Sequence, residues 1–260
     1  MKGEIEIRVA KKNELHELDA ILADLEPDDY VPEVIGEWIG RGSVLIALMN
    51  GAVAGMSHFD NVLDGSVWLS GLRVAKAARR SGIGGALSRF ATTMPGRTVF
   101  RLMISDDNLA SISVTEKAGF RRRCGVSLWR SERGGIGPAE FSPAETGIDE
   151  MEYIRKFDYL LPTMWYAFDP HAMDREAMSR KHLSLVSDSN GSIFLLNDEA
   201  KALTPLHIGN RASFKFIPTG YVVLAAGEEK LDSAGLEQTL WTKSVGIYEY
   251  RRNSEQRTSS

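Results

Sequence analysis

Residues 66–85 read SVWLSGLRVAKAARRSGIGG, a strand-like run that leads into a turn with two arginines and three glycines. The apolar residues after this turn recur at three- and four-residue spacing, which predicts one face of a helix. They are Ile83, Ala86, Leu87, Phe90, Ala91 and Met94. Glycines let a backbone approach a ligand closely, and the amides of a helix N-terminus attract anions. The stretch therefore indicates a phosphate-binding turn.

The spacing of the glycines separates this turn from two common phosphate-binding motifs. A nucleoside-triphosphate loop needs a lysine directly after its last glycine, and Gly85 is followed by alanine. A dinucleotide-binding turn needs G-x-G-x-x-G, and the sixth position counted from Gly82 is Leu87. The pattern that remains is Arg-x-x-Gly-x-Gly over residues 79–84.

A second motif, NLASISVTEKAGF at residues 108–120, lies on the next predicted helix, Leu109 to Ala118. Gly119 follows at the position where glycine commonly ends a helix. Taken in order with GLRV at 71–74 and the glycine turn, this motif resembles the GNAT superfamily of N-acetyltransferases. The helix and hairpin that precede the turn extend the resemblance to residues 1–130.

The resemblance implies an α/β (α+β) fold with a mixed, largely antiparallel sheet, flanking helices and a V-shaped split. Residues 131–149 are rich in glycine, proline and serine without periodicity, so we expect a linker over 131–150 between domain 1–130 and a second α+β module, 151–260. That module is either unrelated or a degenerate second GNAT-like copy without the glycine turn, and the sequence leaves both open. Its acidic balance would suit a wall for a cationic amine.

Periodicity and turn residues predict the remaining elements. In the first half these are a strand at 5–9, helices carrying Leu15–Leu25 and Trp38–Ile39, an Asn50-Gly51 hairpin, and strands at 66–74 and 98–105. In the second half they are a helix at 175–186 and strands at 192–196, 202–208, 213–217, 221–226 and 244–251.

The resemblance also implies acetyl-CoA as co-substrate and assigns residues to it. The pyrophosphate would lie on the turn and the pantetheine arm along the end of the preceding strand, with Asn108 as a further contact. The turn residues are Arg79, Arg80, Ser81, Gly82, Ile83, Gly84 and Gly85, and the strand-end residues are Leu72, Arg73 and Val74. No metal site is expected.

The catalytic groups depart from the family pattern. Thr115 stands where many relatives carry a tyrosine that protonates the leaving thiolate, and a threonine hydroxyl is a far weaker acid. The strand 66–74 has no carboxylate to act as general base. His58 and Asp60, which share one face of the preceding strand, are the nearest candidates, although a surface pair at an exposed strand end is the simpler interpretation of these two residues.

We therefore expect an enzyme that moves an acetyl group from acetyl-CoA to a primary amine by direct attack in a ternary complex. The alternative is a weak or inactive acetyl-CoA-binding sensor or scaffold. The acceptor is either a small-molecule amine or a protein amine, and the oligomeric state is left open.

Composition narrows the partners further. The net charge is −4, with 17 basic and 16 acidic residues in 1–130 and 14 basic and 19 acidic residues in the rest. Neither half has the broad basic surface of a nucleic-acid-binding protein. No apolar run is long enough for a spanning helix, so no membrane contact is expected. The single cysteine, Cys124, fits a reducing compartment, so we expect a cytoplasmic protein.

Overall fold

The computed structural model describes residues 4–130, 141–164, 166–209, 221–226, 236–238 and 244–252. In the first half the strands are β1 (Ile5–Val9), β2 (Val44–Met49), β3 (Ala52–Asn61), β4 (Val67–Val74), β5 (Val99–Ser105) and β6 (Arg121–Arg130). In the second half they are β7 (Ser142–Pro143), β8 (Leu161–Pro162), β9 (Ala167–Phe168), β10 (Leu183–Ser187), β11 (Ile193–Asn197), β12 (Ala202–His207), β13 (Val222–Ala226), β14 (Glu237–Gln238) and β15 (Ser244–Arg251). The α-helices are α1 (Asp19–Leu22), α2 (Val31–Gly40), α3 (Ile83–Ala91), α4 (Leu109–Lys117), α5 (Glu150–Ile154) and α6 (Arg175–Arg180). Among these described helices, none combines the length and the apolar composition needed to cross a membrane.

A single mixed sheet runs through both halves of the chain. Its order is β1-β2-β3-β4-β5-β15-β6-β13-β12-β11-β10-β7, and β14 pairs separately with β6. Among the described strands, the parallel pairs are β4–β5 and β12–β13, and every other pairing is antiparallel. The expectation of a mixed, largely antiparallel sheet with flanking helices and a second α+β module is confirmed.

The two halves exchange strands where they meet. The last strand, β15, lies between β5 and β6 of the first half, and β6 in turn pairs with β13 of the second half. Each half therefore depends on the other to cover the inner edge of its sheet. The division into 1–130, a linker and 151–260 stays a prediction, but residues 244–251 lie inside the sheet of the first half.

The pairing pattern repeats along the chain. In the first half β1 pairs β2, β2 pairs β3 and β3 pairs β4, all antiparallel, and β4 then runs parallel to β5. In the second half the consecutive pairs β7–β10, β10–β11 and β11–β12 are likewise antiparallel, and β12 then runs parallel to β13. Each of the two parallel pairings, β4–β5 and β12–β13, consists of two residue pairs.

The core beneath the first half fixes the helix that follows the glycine turn. Ile83, Leu87 and Ala91 recur at four-residue spacing on α3 and are buried. They pack in one cluster with Val67 of β4 and Phe100 of β5. Because these strands are neighbours, the N-terminus of α3 is held beside the point where they meet.

Several sequence-based elements need correction. The helix predicted at 175–186 ends at Arg180, because His182 adopts a positive φ of 52° and the chain turns into β10. The long helix predicted after Asn13 is a 3-10 turn, Leu15–Leu18, followed by the four residues of α1. Ser142–Pro143, within the predicted linker, pairs with β10 as β7. The strand predicted at 213–217 lies outside the described residues.

Candidate active site

The sheet forks between β4 and β5. These strands pair only at Val67–Phe100 and Trp68–Arg101, and beyond Trp68 they diverge. Between the diverging ends lies a cleft of about 890 Å³. The V-shaped split expected from the resemblance is therefore present, and it opens toward the glycine turn.

The glycine turn presents backbone amides to this cleft. Arg80 and Gly82 both have positive φ, 66° and 97°, so the chain twists sharply before α3 begins. Gly82 is the N-cap of α3, and among the described residues no side chain caps it. The first amides of a helix lack intrahelical partners, so those of α3 are available to an anion. Two arginine side chains, at 79 and 80, add positive charge at the same place.

A bulge in β4 changes the direction of the backbone at the fork. Met56 and His58 of β3 lie opposite Arg73 and Ser70, so β4 uses one more residue than β3 over this interval. Gly71 sits in the extra segment with φ of 59°. A Cβ at this position would lie 2.8 Å from the Trp38 ring, so only glycine fits.

Helix α4 forms the other side of the cleft. Asn108 caps it, because its side-chain oxygen accepts a hydrogen bond of 3.1 Å from the Ser111 amide. Asn108 and the buried Thr115 both line the cleft. Capping therefore leaves Asn108 in a position to meet a ligand.

The fork brings the sequence-predicted cofactor residues together, with one exception. Those that line the cleft are Leu72, Arg73, Val74, Arg79, Arg80, Gly82, Ile83, Gly84, Gly85 and Asn108. Ser81 is not among the lining residues, and its hydroxyl donates to the Ala78 carbonyl at 2.6 Å. That hydrogen bond stabilises the turn from within.

A second cavity, of about 520 Å³, meets the cleft at the fork. The two share Tyr30, Leu69, Ser70, Met103 and Ser105 in their walls. His58 and Asp60, the candidate catalytic residues of β3, line this second cavity, whereas Thr115 lines the cleft. The structure therefore separates the predicted catalytic residues between two connected spaces.

His58 is held in a buried, hydrogen-bonded position. Its ring stacks on Trp38 with centroids 3.9 Å apart, and its Nδ1 lies 2.9 Å from the Ser70 hydroxyl. Burial lowers the pKa of His58 to about 4, outweighing the attraction of the nearby Asp60 carboxylate. The imidazole is thus neutral near pH 7, and the same burial makes it a weaker base than an exposed imidazole.

The second half of the chain supplies one wall of the second cavity. Its contribution consists of Met164, Tyr166, Lys181 and Val245. From the first half, Tyr30 and Glu33 at the start of α2 complete the rim. Sequence analysis missed these six residues, because they lie outside the two motifs and only the fold brings them to the fork. The acidic balance of the second half predicted a wall for a cationic amine, but the described residues that it contributes to this cavity include a lysine and no carboxylate.

The described residues contain no group of three or more His, Cys, Asp or Glu side chains placed to hold a metal ion. What the site does contain is a forked sheet, amides at a helix start and an adjoining second cavity. This arrangement agrees with the acyltransferase fold that the sequence resemblance implies.

Comparison with known proteins agrees with this class. The model of the acetyltransferase (GNAT) family matches residues 13–120. No curated protein matches the sequence. The chain therefore carries a GNAT acetyltransferase domain, and the protein is an acetyltransferase.

Solved structures extend the likeness to both halves of the chain. A protein from Thermoplasma acidophilum assigned as an acetyltransferase aligns over 95% of this chain and 100% of its own, with TM-score 0.63 and 20% identity. One from Pyrococcus horikoshii with the same assignment aligns over 98% and 92%, with TM-score 0.59 and 16% identity. A GCN5-related N-acetyltransferase from Sphaerobacter thermophilus aligns over 95% of both chains, with TM-score 0.57 and 13% identity. At these identities the likeness concerns the fold, which includes the second half.

Proposed function

We propose that the protein transfers the acetyl group of acetyl-CoA to the primary amine of a small acceptor bound in the 520 Å³ cavity. The observation that carries this proposal is the junction of the two spaces at Leu69, Ser70, Met103 and Ser105. A donor in the cleft and an acceptor in the cavity would meet at this fork. Holding both reactants together removes much of the entropic barrier to reaction.

The cleft fits acetyl-CoA on the chemistry of its walls. The amides at the start of α3 and the side chains of Arg79 and Arg80 would hold the pyrophosphate. The strand end at Leu72–Val74 would pair with the pantetheine arm, and a backbone amide there would stabilise negative charge on the carbonyl oxygen. One such donor typically contributes about 3 kcal/mol of barrier reduction. A thioester supplies an already activated acyl group, so no covalent enzyme intermediate is required.

His58 is the group we assign to accept the amine proton. It is neutral and lies opposite Ser70, a residue that both spaces share. The bound ammonium group first loses one proton to water. The neutral amine nitrogen then bonds to the carbonyl carbon, the carbon–sulfur bond breaks with the electron pair leaving on the thiolate, and the second proton of the nitrogen passes to His58 and onward to water. Asp60 would attract the cationic form of the amine. Thr115 is too weak an acid to protonate the leaving group. A thiol with a pKa near 8.5 gives a stable thiolate near neutral pH, so the thiolate can leave without a general acid.

Two measurements test this proposal. Calorimetry should show saturable binding of acetyl-CoA, and a thiol-release assay over a panel of primary amines should show turnover. Replacing Arg79 and Arg80 together by Met should raise the KM for acetyl-CoA roughly tenfold, because two charge-assisted contacts are lost. Arg97→Met, which replaces a partly buried arginine outside the cleft, is the control and should leave KM unchanged.

Each failure points to a different error. Absence of saturation by acetyl-CoA would contradict the assignment of the cleft. Saturation without CoA release from any amine would instead favour the sensor or scaffold alternative. An equal effect of the Arg97 substitution would show that the turn arginines act only through general charge.

A further inference from the structure

The acceptor cavity is mainly apolar and aromatic. Its aromatic and flexible apolar lining includes Tyr30, Trp38 and Trp68 from the first half and Met164 from the second half. A volume of about 520 Å³ is in the range of small-molecule sites. The walls therefore suit a compact molecule with an apolar body.

Opposite charges stand side by side in this apolar wall. Lys181 Nζ lies 3.8 Å from Asp60 Oδ2, beyond hydrogen-bond distance, and about 38% of the Lys181 side chain and 48% of the Asp60 side chain are exposed. The lysine also lies 5.8 Å from the centroid of the Tyr166 ring. Because the two side chains are held only loosely, they can separate, so that Lys181 contacts a negative group and Asp60 a positive group of the same ligand.

The Tyr166 hydroxyl adds a polar group that lacks a satisfactory partner. The atom is buried and makes no hydrogen bond of normal geometry with the described residues. Burial raises the pKa of Tyr166 to about 12, against a smaller opposing contribution from the Thr163 side chain, so the phenol keeps its proton and can donate. Buried polar atoms without partners are uncommon in folded proteins. A small rotation of the phenol toward the cavity would let this hydroxyl donate to a ligand oxygen beside Lys181.

We infer that the acceptor is a free α-amino acid with an apolar side chain. Its ammonium group would lie against Asp60 and its carboxylate against Lys181 and the Tyr166 hydroxyl, with the side chain among the aromatic walls. In an α-amino acid the ammonium and carboxylate groups are bonded to the same carbon. One such molecule can therefore contact both Asp60 and Lys181, whose charged atoms lie 3.8 Å apart. This inference rests on the proposed function, which needs an amine near His58, two residues from Asp60 on the same face of β3.

A peptide N-terminus and a simple amine fit less well. In a peptide the carboxylate becomes a neutral amide, and in a decarboxylated amine it is absent. Either ligand would occupy Asp60 and leave both Lys181 and Tyr166 without an anionic partner. The carboxylate is therefore the feature of the acceptor that the second half of the chain recognises.

The test compares matched acceptors. L-Phenylalanine, L-leucine and L-methionine are each measured beside the corresponding decarboxylated amine and the corresponding amino acid amide. Binding to the protein saturated with CoA is followed by calorimetry, and thiol release from acetyl-CoA is followed separately. We expect at least one amino acid to bind and react roughly tenfold or more better than its two analogues.

Two substitutions with matched controls test whether Lys181 and Tyr166 recognise the carboxylate of the acceptor. Lys181→Met should lower the affinity for the amino acid roughly tenfold and leave the decarboxylated amine nearly unchanged. Tyr166→Phe should weaken the same ligand in the same selective way. Lys201 pairs with Asp198 and lies over the Tyr221 ring outside the cavity, so Lys201→Met and Tyr221→Phe are controls that should change neither ligand.

The two readouts separate this inference from the proposed function. Selective binding of the amino acid without thiol release would support the ligand class and contradict the acetyl transfer. Turnover of the amine or the amide equal to that of the amino acid would overturn the inference while the proposed function stands. Binding of none of the three amino acids would also overturn it.

Discussion

At the scale of a residue, His58 shows how the fold changes a proton equilibrium. Burial lowers the pKa of its imidazole to about 4 from an ordinary value near 6.5. Below pH 6.5 the unfolded chain binds a proton at this residue, whereas the folded chain binds one only below about pH 4. The free energy of unfolding therefore decreases as the pH falls from 6.5 to 4, by roughly 3 kcal/mol in total.

His58→Asn removes this contribution while it keeps a group able to bond to Ser70. Between pH 7 and pH 4 the variant should lose roughly 3 kcal/mol less unfolding free energy than the parent protein. Urea unfolding at a series of pH values measures the difference. His207→Asn, at an exposed position on β12, is the control. Equal pH dependence in the parent protein and the His58 variant would contradict the lowered pKa.

The same variant tests the proton-accepting role of His58. Loss of a general base typically lowers the rate by a factor of about 100 or more. We expect a decrease of this size in kcat/KM for the amine and an unchanged KM for acetyl-CoA. Full activity in His58→Asn would assign proton removal to another group at the cavity, of which Glu33 and Asp60 are the acidic ones.

At the scale of elements, a buried charge cluster closes the base of the fork. Arg101 of β5, about 2% exposed, donates to Glu249 of β15 at 2.8 Å, to Ser66 at 3.0 Å and to Asp64. Asp64 also accepts from the Asp169 amide of the second half at 2.7 Å. Burial alone would raise the pKa values of both carboxyls, but the guanidinium groups beside them lower both. One arginine thus ties together β5, β15 and the segment before β4.

Arg101→Met should destabilise the protein by about 3–5 kcal/mol, because it leaves the Asp64 carboxylate buried without its cation and removes the buried partner of Glu249, which keeps only the more exposed Arg251 and Arg123. Denaturant unfolding measures the loss. Arg123→Met is the matched control: Arg123 lies 3.5 Å from the same Glu249 but is 55% exposed, and its loss should cost no more than about 1 kcal/mol. Adding Asp64→Asn and Glu249→Gln to Arg101→Met should recover part of the stability. Similar losses from the two single arginine variants would contradict the assigned role of burial.

The sequence predicts correctly those elements that are determined by neighbouring residues in the chain. The Asn50-Gly51 hairpin, strand β1 and the starts of α3 and α4 agree with the sequence analysis, since turn chemistry and periodicity determine them. Residues 183–186 belong to the helix predicted from the sequence, yet they form most of β10 because β11 offers a strand to pair with. Tyr166 and Lys181 could not be assigned to the acceptor cavity, because nothing near them in sequence indicates that they meet β3.

At the scale of the whole molecule, the exchange of strands makes the halves interdependent. The pairing order of the first half recurs among the described strands of the second half, and the alternative that residues 151–260 are a degenerate GNAT-like copy stays a prediction. An isolated first half would expose β5 and β6, and one such edge of unpaired amides and carbonyls favours aggregation. We therefore expect the first half to need the second half for folding.

Removing β15 tests this dependence directly. A chain that ends at residue 243 loses the pairing of β15 with β5 over seven residue pairs and with β6 over six. It also loses the buried side chains of Val245, Ile247 and Tyr248 and the Glu249 partner of Arg101. We expect it to lack a cooperative thermal transition and to aggregate, whereas a chain that ends at Arg252 unfolds like the full protein. Calorimetry and size-exclusion chromatography measure both properties. Cooperative unfolding of the shorter chain at the parental midpoint would show that the first half folds without the strand it receives.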